Sequence, residues 1–313
     1  MMEQALHRLT PKLALRLAAP HTWVAAVAPA LFGEVYCFLK GYSLHPILCV
    51  TLFVACILMQ SAVNTFNDYF DFVKGTDTAA DNVEVSDAVL VYEHIDPASA
   101  LRLAMTFLVL AALLAVPAIV HAGWAPLLVG IVGAVCVLTY SGGIVPISYL
   151  PIGEFVSGFV MGGLIPLGIV ATACSAFDFT VLIAAMPLII GIGLIMMTNN
   201  TCDIEKDRAA HRWTLPALLR RKKARRLYRV LVVMWIVTVI GLPIFYSGAW
   251  GLTSLVLLLL MGRRPYGNRL TASLMPTHRV DEMKGIVFAN VLGNGVYILT
   301  WGIILLGGGP FHG

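Results

Sequence analysis

Residues 47–77 read ILCVTLFVACILMQSAVNTFNDYFDFVKGTD, and the change of character inside that stretch decides the fold. Positions 47–63 carry no charge and come close to the roughly 20 apolar residues that a helix needs to cross a bilayer. From Asn64 onward the side chains turn polar and acidic: Asn64, Asn67, Asp68, Asp71, Lys74 and Asp77. Asn64 and Asp68 are four apart, as are Asn67 and Asp71, while Asp68 and Asp71 are three apart. On a helix these spacings put the oxygens on one face. The stretch therefore reads as a membrane helix that ends in a row of hard oxygen donors.

The rest of the chain repeats the apolar half of that pattern. Apolar residues make up 59% of the 313 positions and charged residues 12%, against roughly 25% charged in a soluble domain. Apolar segments fall at 15–38, 47–63, 100–120, 124–140, 152–173, 179–197, 227–246, 250–261 and 286–306, so nine spans are expected. With the N-terminus in the cytoplasm, 20 of the 21 Lys and Arg fall on the cytoplasmic side, and Lys40 alone falls outside. Such a bias is the one that orients membrane proteins. A single helix over 230–261 would be about 48 Å long and would place two basic loops on opposite faces, so a turn is expected at Pro243 and Ser247-Gly248. The chain reads as one integral domain over residues 1–313 of a multi-pass cell-membrane protein. Its polar loops are expected in the cytoplasm and its C-terminus outside. Membrane lipid is an expected partner; nucleic acid is not.

A second acidic cluster closes the sixth span: Asn199-Asn200-Thr-Cys-Asp203-Ile-Glu-Lys206-Asp207-Arg208. Asn199, Asp203 and Asp207 are spaced four and four, again on one face. The two clusters lie 135 positions apart, which suggests two similar halves facing each other. Several carboxylates together repel unless a cation or protons intervene. Hard oxygens suit Mg²⁺, which keeps waters and shares phosphate oxygens, so two clusters can hold a diphosphate between them. Lys74, Lys206, Arg208 and Arg212 are placed to neutralise a phosphate leaving group. The run 220–226, RRKKARR, reads first as a topology determinant that also touches anionic lipid.

The motifs resemble a known family. Asn67-Asp68-x-x-Asp71, continued by Lys74-Gly75-x-Asp77, is similar to the first Asp-rich motif of UbiA-type prenyltransferases, and its extension to that of the dihydroxynaphthoate polyprenyltransferases. Residues 199–208, Tyr140-Ser-Gly-Gly-Ile-Val-Pro146 leading to Gly153-Glu154, and 15–22 also resemble that branch. The resemblance implies an all-α membrane protein of nine helices around a central cavity, using Mg²⁺, an isoprenyl diphosphate and an aromatic acceptor: 1,4-dihydroxy-2-naphthoate in menaquinone biosynthesis, with another phenolic or quinone-precursor ring as the alternative. It implies metal and diphosphate ligands at Asn64, Asn67, Asp68, Asp71, Asp77, Asn200, Asp203 and Asp207. Lys74 and Arg208 would be diphosphate partners, with Tyr140 and Glu154 near the acceptor. The sequence departs from the branch at His211, Arg212, Trp213 and Thr214, where Gly-Lys-Arg-Thr is usual, and in the stretch 81–97.

Three other features point elsewhere. The six cysteines form no CxxC pair and read as buried thiols. The histidines show no ligand spacing. Asn290 and Asn294, four apart in the last span, read as a helix–helix contact. A secondary transporter would also have many spans and intramembrane acids, but with the acids near the midplane at broken helices rather than at span ends.

Overall fold

The computed structural model describes residues 7–76 and 88–313. Among them the structure is helical, apart from an isolated bridge between His7 and Ile95. The first stretch, Pro11–Thr22, begins with α1 (Pro11–Leu17) and meets α2 (Val24–Leu39) at a bend of 60°. Within it the chain leaves the α-helix at Ala19, whose φ is 48°.

Helix α3 (Pro46–Val73) starts where the His45 side chain accepts from Ile47 N and Pro46 takes the first turn, a position where its missing N–H is harmless. It runs 28 residues, about 42 Å at 1.5 Å per residue, and stops before Gly75 at φ 68°. That is longer than the roughly 30 Å of bilayer hydrocarbon, so the helix continues into the acidic stretch instead of ending with the apolar one. A short α4 (Val89–Glu93) follows, then the long α5 (Pro97–Ala122) and α6 (Trp124–Ser141). Their outer faces expose Leu113, Val116, Val120 and Val135, as lipid-facing helices do.

The next helix is α7 (Gly153–Phe159) and α8 (Ile165–Cys174), joined through a π-turn at Val160–Leu164. It packs on α10 (Met186–Cys202), which the five-residue α9 (Thr180–Ala184) precedes. Gly158 and Gly162 make that approach possible, since a Cβ on either would stand 2.5 Å from backbone atoms of Ile189. Small residues four apart are what lets membrane helices come this close. After α11 (Ile204–Ala209) comes α12 (Leu215–Ser247), broken at Arg220 (φ 62°, ψ 159°).

Of the two places at which a turn is expected, the structure turns at Ser247-Gly248 and not at Pro243. The helix runs through Pro243 to Ser247, and the chain reverses at Gly248–Gly251. Gly251 packs against the backbone of Pro243 and Ile244, and Ser254 Oγ donates to Ile240 O. Thus α13 (Leu252–Leu257) and α14 (Arg263–Leu270) fold back along α12. The last helix, α15 (Arg279–Leu306), buries Trp301 and Tyr297 with Trp235, Phe32 and Tyr36 in the main core. Asn290 and Asn294 tie helices together there, as expected: Asn290 Nδ2 donates to Gly191 O (2.9 Å) and Trp235 Nε1 to Asn294 Oδ1 (3.2 Å).

Six helical stretches among the described residues are long and apolar enough to cross a membrane, or seven if the bent α1–α2 pair is one span. The protein is a multi-pass membrane protein. The count differs from nine because α10 has only 17 residues and because 215–270, although it reverses at Gly248–Gly251, enters it as one stretch.

Candidate active site

A cavity of about 980 Å³ opens among the helices. Its polar end is built from the last turns of α3 and the junction of α10 with α11. Asn64, Asn67, Asp68 and Asp71 line it from one side, and Asn199, Asp203, Lys206 and Asp207 from the other. Arg212, Arg279 and Lys284 line the same end, and Tyr140 closes it from α6. Farther in, the walls are apolar, with Met59, Leu108, Val129 and Ile131 among them.

The first cluster is held by amide and hydroxyl donors. Asp68 is buried and accepts from the backbone N–H groups of Val89 (2.8 Å) and Leu90 (3.3 Å) at the start of α4. Asn67 Nδ2 donates to Asp71 Oδ2 (3.0 Å), and Ser141 Oγ donates to Asn67 Oδ1 (2.8 Å). Asn64 Nδ2 donates to Ala18 O (2.9 Å) and Thr22 Oγ1 (2.8 Å), so it fastens α3 to the break between α1 and α2.

The second cluster is held by guanidinium groups. Arg279 Nε donates to Asp203 Oδ2 (3.0 Å) and its Nη2 to Asn199 Oδ1 (2.6 Å). Arg212 Nε lies 3.6 Å from Asp207 Oδ1, and Thr214 Oγ1 donates to Asp207 Oδ2 (3.0 Å). Burial pushes the Asp207 carboxyl up to about 6, against the opposing pull of Arg212 and Thr214. Burial also works against the Arg212 charge, but Asp71 and Asp207 outweigh it and keep the guanidinium charged. Arg212 thus feels a carboxylate from each cluster, and it stacks over the Tyr149 ring at 5.0 Å.

Not every residue singled out from the sequence lines the cavity. Asn200 is buried on another face of α10, where its Nδ2 donates to Glu154 Oε1 (2.8 Å), and neither residue is part of the lining. The cavity-facing amide is Asn199, one position earlier and about 100° away around α10, where it lines the cavity with Asp203. Lys74 Nζ donates to Ser141 O (2.8 Å) at the end of α6 and lies over the Phe70 and Tyr149 rings, and burial lowers its pKa. It too is outside the lining, as is the exposed Arg208. Asp77 lies outside the described residues. Arg279 and Lys284 are additions; from the sequence they count only as loop cations, and their place at the start of α15 is the one signal they give.

The donor set fits Mg²⁺. Among the described residues no three His, Cys, Asp or Glu side chains converge as a ready-made cage. Mg²⁺ usually takes only one or two carboxylates, with waters and substrate phosphates completing its shell. Each helix end offers Asn and Asp oxygens to one shared polar chamber.

Known proteins resemble the chain in sequence and in fold. Residues 26–267 match the UbiA prenyltransferase family. The chain is 32% identical over 229 residues to the 1,4-dihydroxy-2-naphthoate octaprenyltransferase of Bacillus subtilis (73% of each chain). It is 29% identical to the enzyme of the same name from Mycobacterium leprae, over 87% of this chain and 92% of that one. A UbiA homolog from Archaeoglobus fulgidus, solved with DMAPP and Mg²⁺, has the same fold with a TM-score of 0.59 at 15% identity, covering 94% of this chain and 99% of that one. With Asn/Asp clusters at two helix ends facing one chamber, and a family match over most of its length, the chain belongs to the UbiA prenyltransferase family.

Proposed function

We infer that the protein transfers a prenyl chain from an isoprenyl diphosphate to 1,4-dihydroxy-2-naphthoate. The observation that carries this is the pairing of two Asn/Asp helix ends across one chamber whose far walls are apolar. The names of the Bacillus and Mycobacterium relatives support the acceptor, and the ligands of the Archaeoglobus homolog support the donor class and the metal.

Asn67, Asp68 and Asp71 on α3, with Asn199, Asp203 and Asp207 at the α10–α11 junction, would hold Mg²⁺ together with the diphosphate. When bound, the ion supplies Lewis-acid polarisation of the phosphate oxygens. Arg212, Lys206 and Arg279 neutralise the charge that grows on pyrophosphate as the allylic C–O bond breaks and the electron pair leaves with it. The apolar walls keep water from the allylic cation. Tyr140 faces the acceptor from α6, and the Glu154–Asn200 pair positions α7 against α10. The ring carbon attacks the prenyl C1, the ring carboxylate leaves as carbon dioxide, and its electron pair restores the aromatic ring.

The topology fits nine crossings, with α1–α2, α3, α5, α6, α7–α8, α9–α10, α12, α13–α14 and α15 as one each. Lys40 pairs with Asp178 (3.5 Å) at one end of the bundle. Lys74, Arg212 and Arg279 make their contacts at the other, beside the acidic clusters. On this reading, which follows the bias of Lys and Arg toward the cytoplasm, the N-terminus and the site lie in the cytoplasm and the C-terminus outside.

Purified protein given dihydroxynaphthoate, a long-chain isoprenyl diphosphate and Mg²⁺ should release pyrophosphate and carbon dioxide and form demethylmenaquinol, read as demethylmenaquinone after air oxidation. Donor binding with no such product would reject the acceptor. Absence of any donor binding would reject the reading.

A further inference from the structure

The basic run at 220–226 is not used by the chemistry above, and only part of it is used by the fold. Arg221 is engaged: its guanidinium donates to Thr201 O (2.9 Å) and pairs with Leu274 O and Glu205. That anchors the start of the long α12 segment beside the candidate site. The break at Arg220 ends there, and from Arg221 onward the helix is regular.

Along this segment Lys222, Arg225, Arg226 and Arg229 line a groove of about 730 Å³ together with Val230, Val233 and Met234. The spacing is i, i+3, i+4, i+7, i+8, i+11 and i+12, a single helical stripe. The stripe is cationic for its first two turns and apolar after them. Lys222, Arg226 and Arg229 are exposed, and among the described residues no carboxylate pairs with them. Arg225 is half-buried, and its Nε is buried with no hydrogen-bond partner among the described residues. Val230 and Val233 remain about half exposed, at 50% and 49%. The stripe spans about 18 Å, close to one leaflet's share of the roughly 30 Å hydrocarbon plus the headgroup layer above it.

Orientation decides the occupant. Arg221 ties the cationic end to Thr201, two residues from Asp203, so that end lies level with the polar chamber at the membrane surface. The apolar end points into the bilayer. A ligand that fills both halves has an anionic head and an apolar tail lying parallel to the helix. A soluble anion would leave the valine and methionine floor uncovered, and a neutral lipid would leave four cations unmatched. We propose that this groove binds an anionic phospholipid, its headgroup phosphate held by Lys222, Arg226 and Arg229 with the Arg225 guanidinium beside them, and an acyl chain lying over Val230, Val233 and Met234. The site is separate from the chamber that takes the donor and does not depend on the reaction assigned there.

Native mass spectrometry of the full chain in detergent, with phosphatidylglycerol or phosphatidylcholine added, reads the number of lipids retained. Wild type should retain phosphatidylglycerol in preference. A combined Lys222→Gln, Arg226→Gln and Arg229→Gln variant should lower that retention about tenfold, a modest part of what three cations beside an anionic headgroup supply. Removing positive charge also weakens membrane orientation, so a second variant keeps every charge: Val233→Trp fills the floor and should lower phosphatidylglycerol retention at least severalfold by the same reading. Equal retention of the two lipids by wild type, or an undiminished preference in Val233→Trp, would overturn the proposal. Displacement of the bound lipid by equimolar inorganic pyrophosphate would assign the groove to a soluble anion and overturn it as well.

Discussion

The two acidic clusters share a sequence pattern but not a chemistry of support. On α3, the Val89 and Leu90 backbone amides donate to Asp68 and the Asn67 side chain donates to Asp71. At the α10–α11 junction, Asp203 and Asp207 are matched by Arg279 and Arg212. Backbone and amide donors orient a carboxylate without setting a full charge directly against it. A guanidinium in direct contact does set one, so a cation arriving at Asp203 must compete with Arg279, whereas at Asp68 it meets oxygens held by backbone amides.

The largest test removes either cluster. Asp68→Ala and Asp203→Ala should each lower prenyl transfer by about a hundred- to a thousandfold, because each loses an oxygen that would hold the metal polarising the diphosphate. Activity within about tenfold of wild type for either would break the symmetry of the clamp. A sharper test separates the clusters by metal alone. Arg279→Gln removes the competitor at Asp203 and should raise Mg²⁺ affinity measured calorimetrically without donor by about tenfold, while Asn67→Ala should lower it. The same direction of change in both variants would erase the distinction drawn above.

Acid sharpens the comparison further. Burial holds Asp207 at about 6, above the usual carboxylate range, so the metal-free side chain takes up a proton as pH falls through that value. Metal ligation requires the deprotonated form. Mg²⁺ binding at the second cluster should therefore weaken by up to about tenfold per pH unit below 6, and Asp207→Asn should flatten the profile. An unchanged slope in that variant would move the titration elsewhere.

The smallest effect concerns the loop after the second cluster. His211 has a φ of 55°, a left-handed conformation that a glycine adopts without strain, and glycine is what the resembled branch carries there. His211→Gly should leave stability unchanged or raise it by up to about 1 kcal/mol, read as a small upward shift of the melting midpoint. A loss of several degrees would show the imidazole holding Arg212 in place.

Much of this was legible in residues 47–77 and 199–208, because an apolar run followed by oxygens at three- and four-residue spacing has few other readings. What escaped was tertiary. Asn200 and Glu154 meet across 46 positions, and no local spacing announces that pairing, whereas the choice of Asn199 for the chamber follows from helix phase. Lys74 stands beside the acids in sequence, yet its flexible stem carries the ammonium to the end of α6. Arg279 comes from the far end of the chain, 76 positions beyond Asp203. The reversal at Gly248–Gly251 was displaced from Pro243 because a proline well inside a membrane helix can be absorbed without a turn.

Helix α3 is a single unbroken rod from Pro46 to Val73, and its acidic end stands at a fixed height above the hydrocarbon. A donor gripped there has its head pinned at one altitude, whatever lies below. Added isoprene units then extend only along the apolar depth of the cavity or out into the lipid. Tail length and reaction rate become separable variables, so a family of such proteins can drift toward longer or shorter products by resculpting walls tens of ångströms from the bond that breaks.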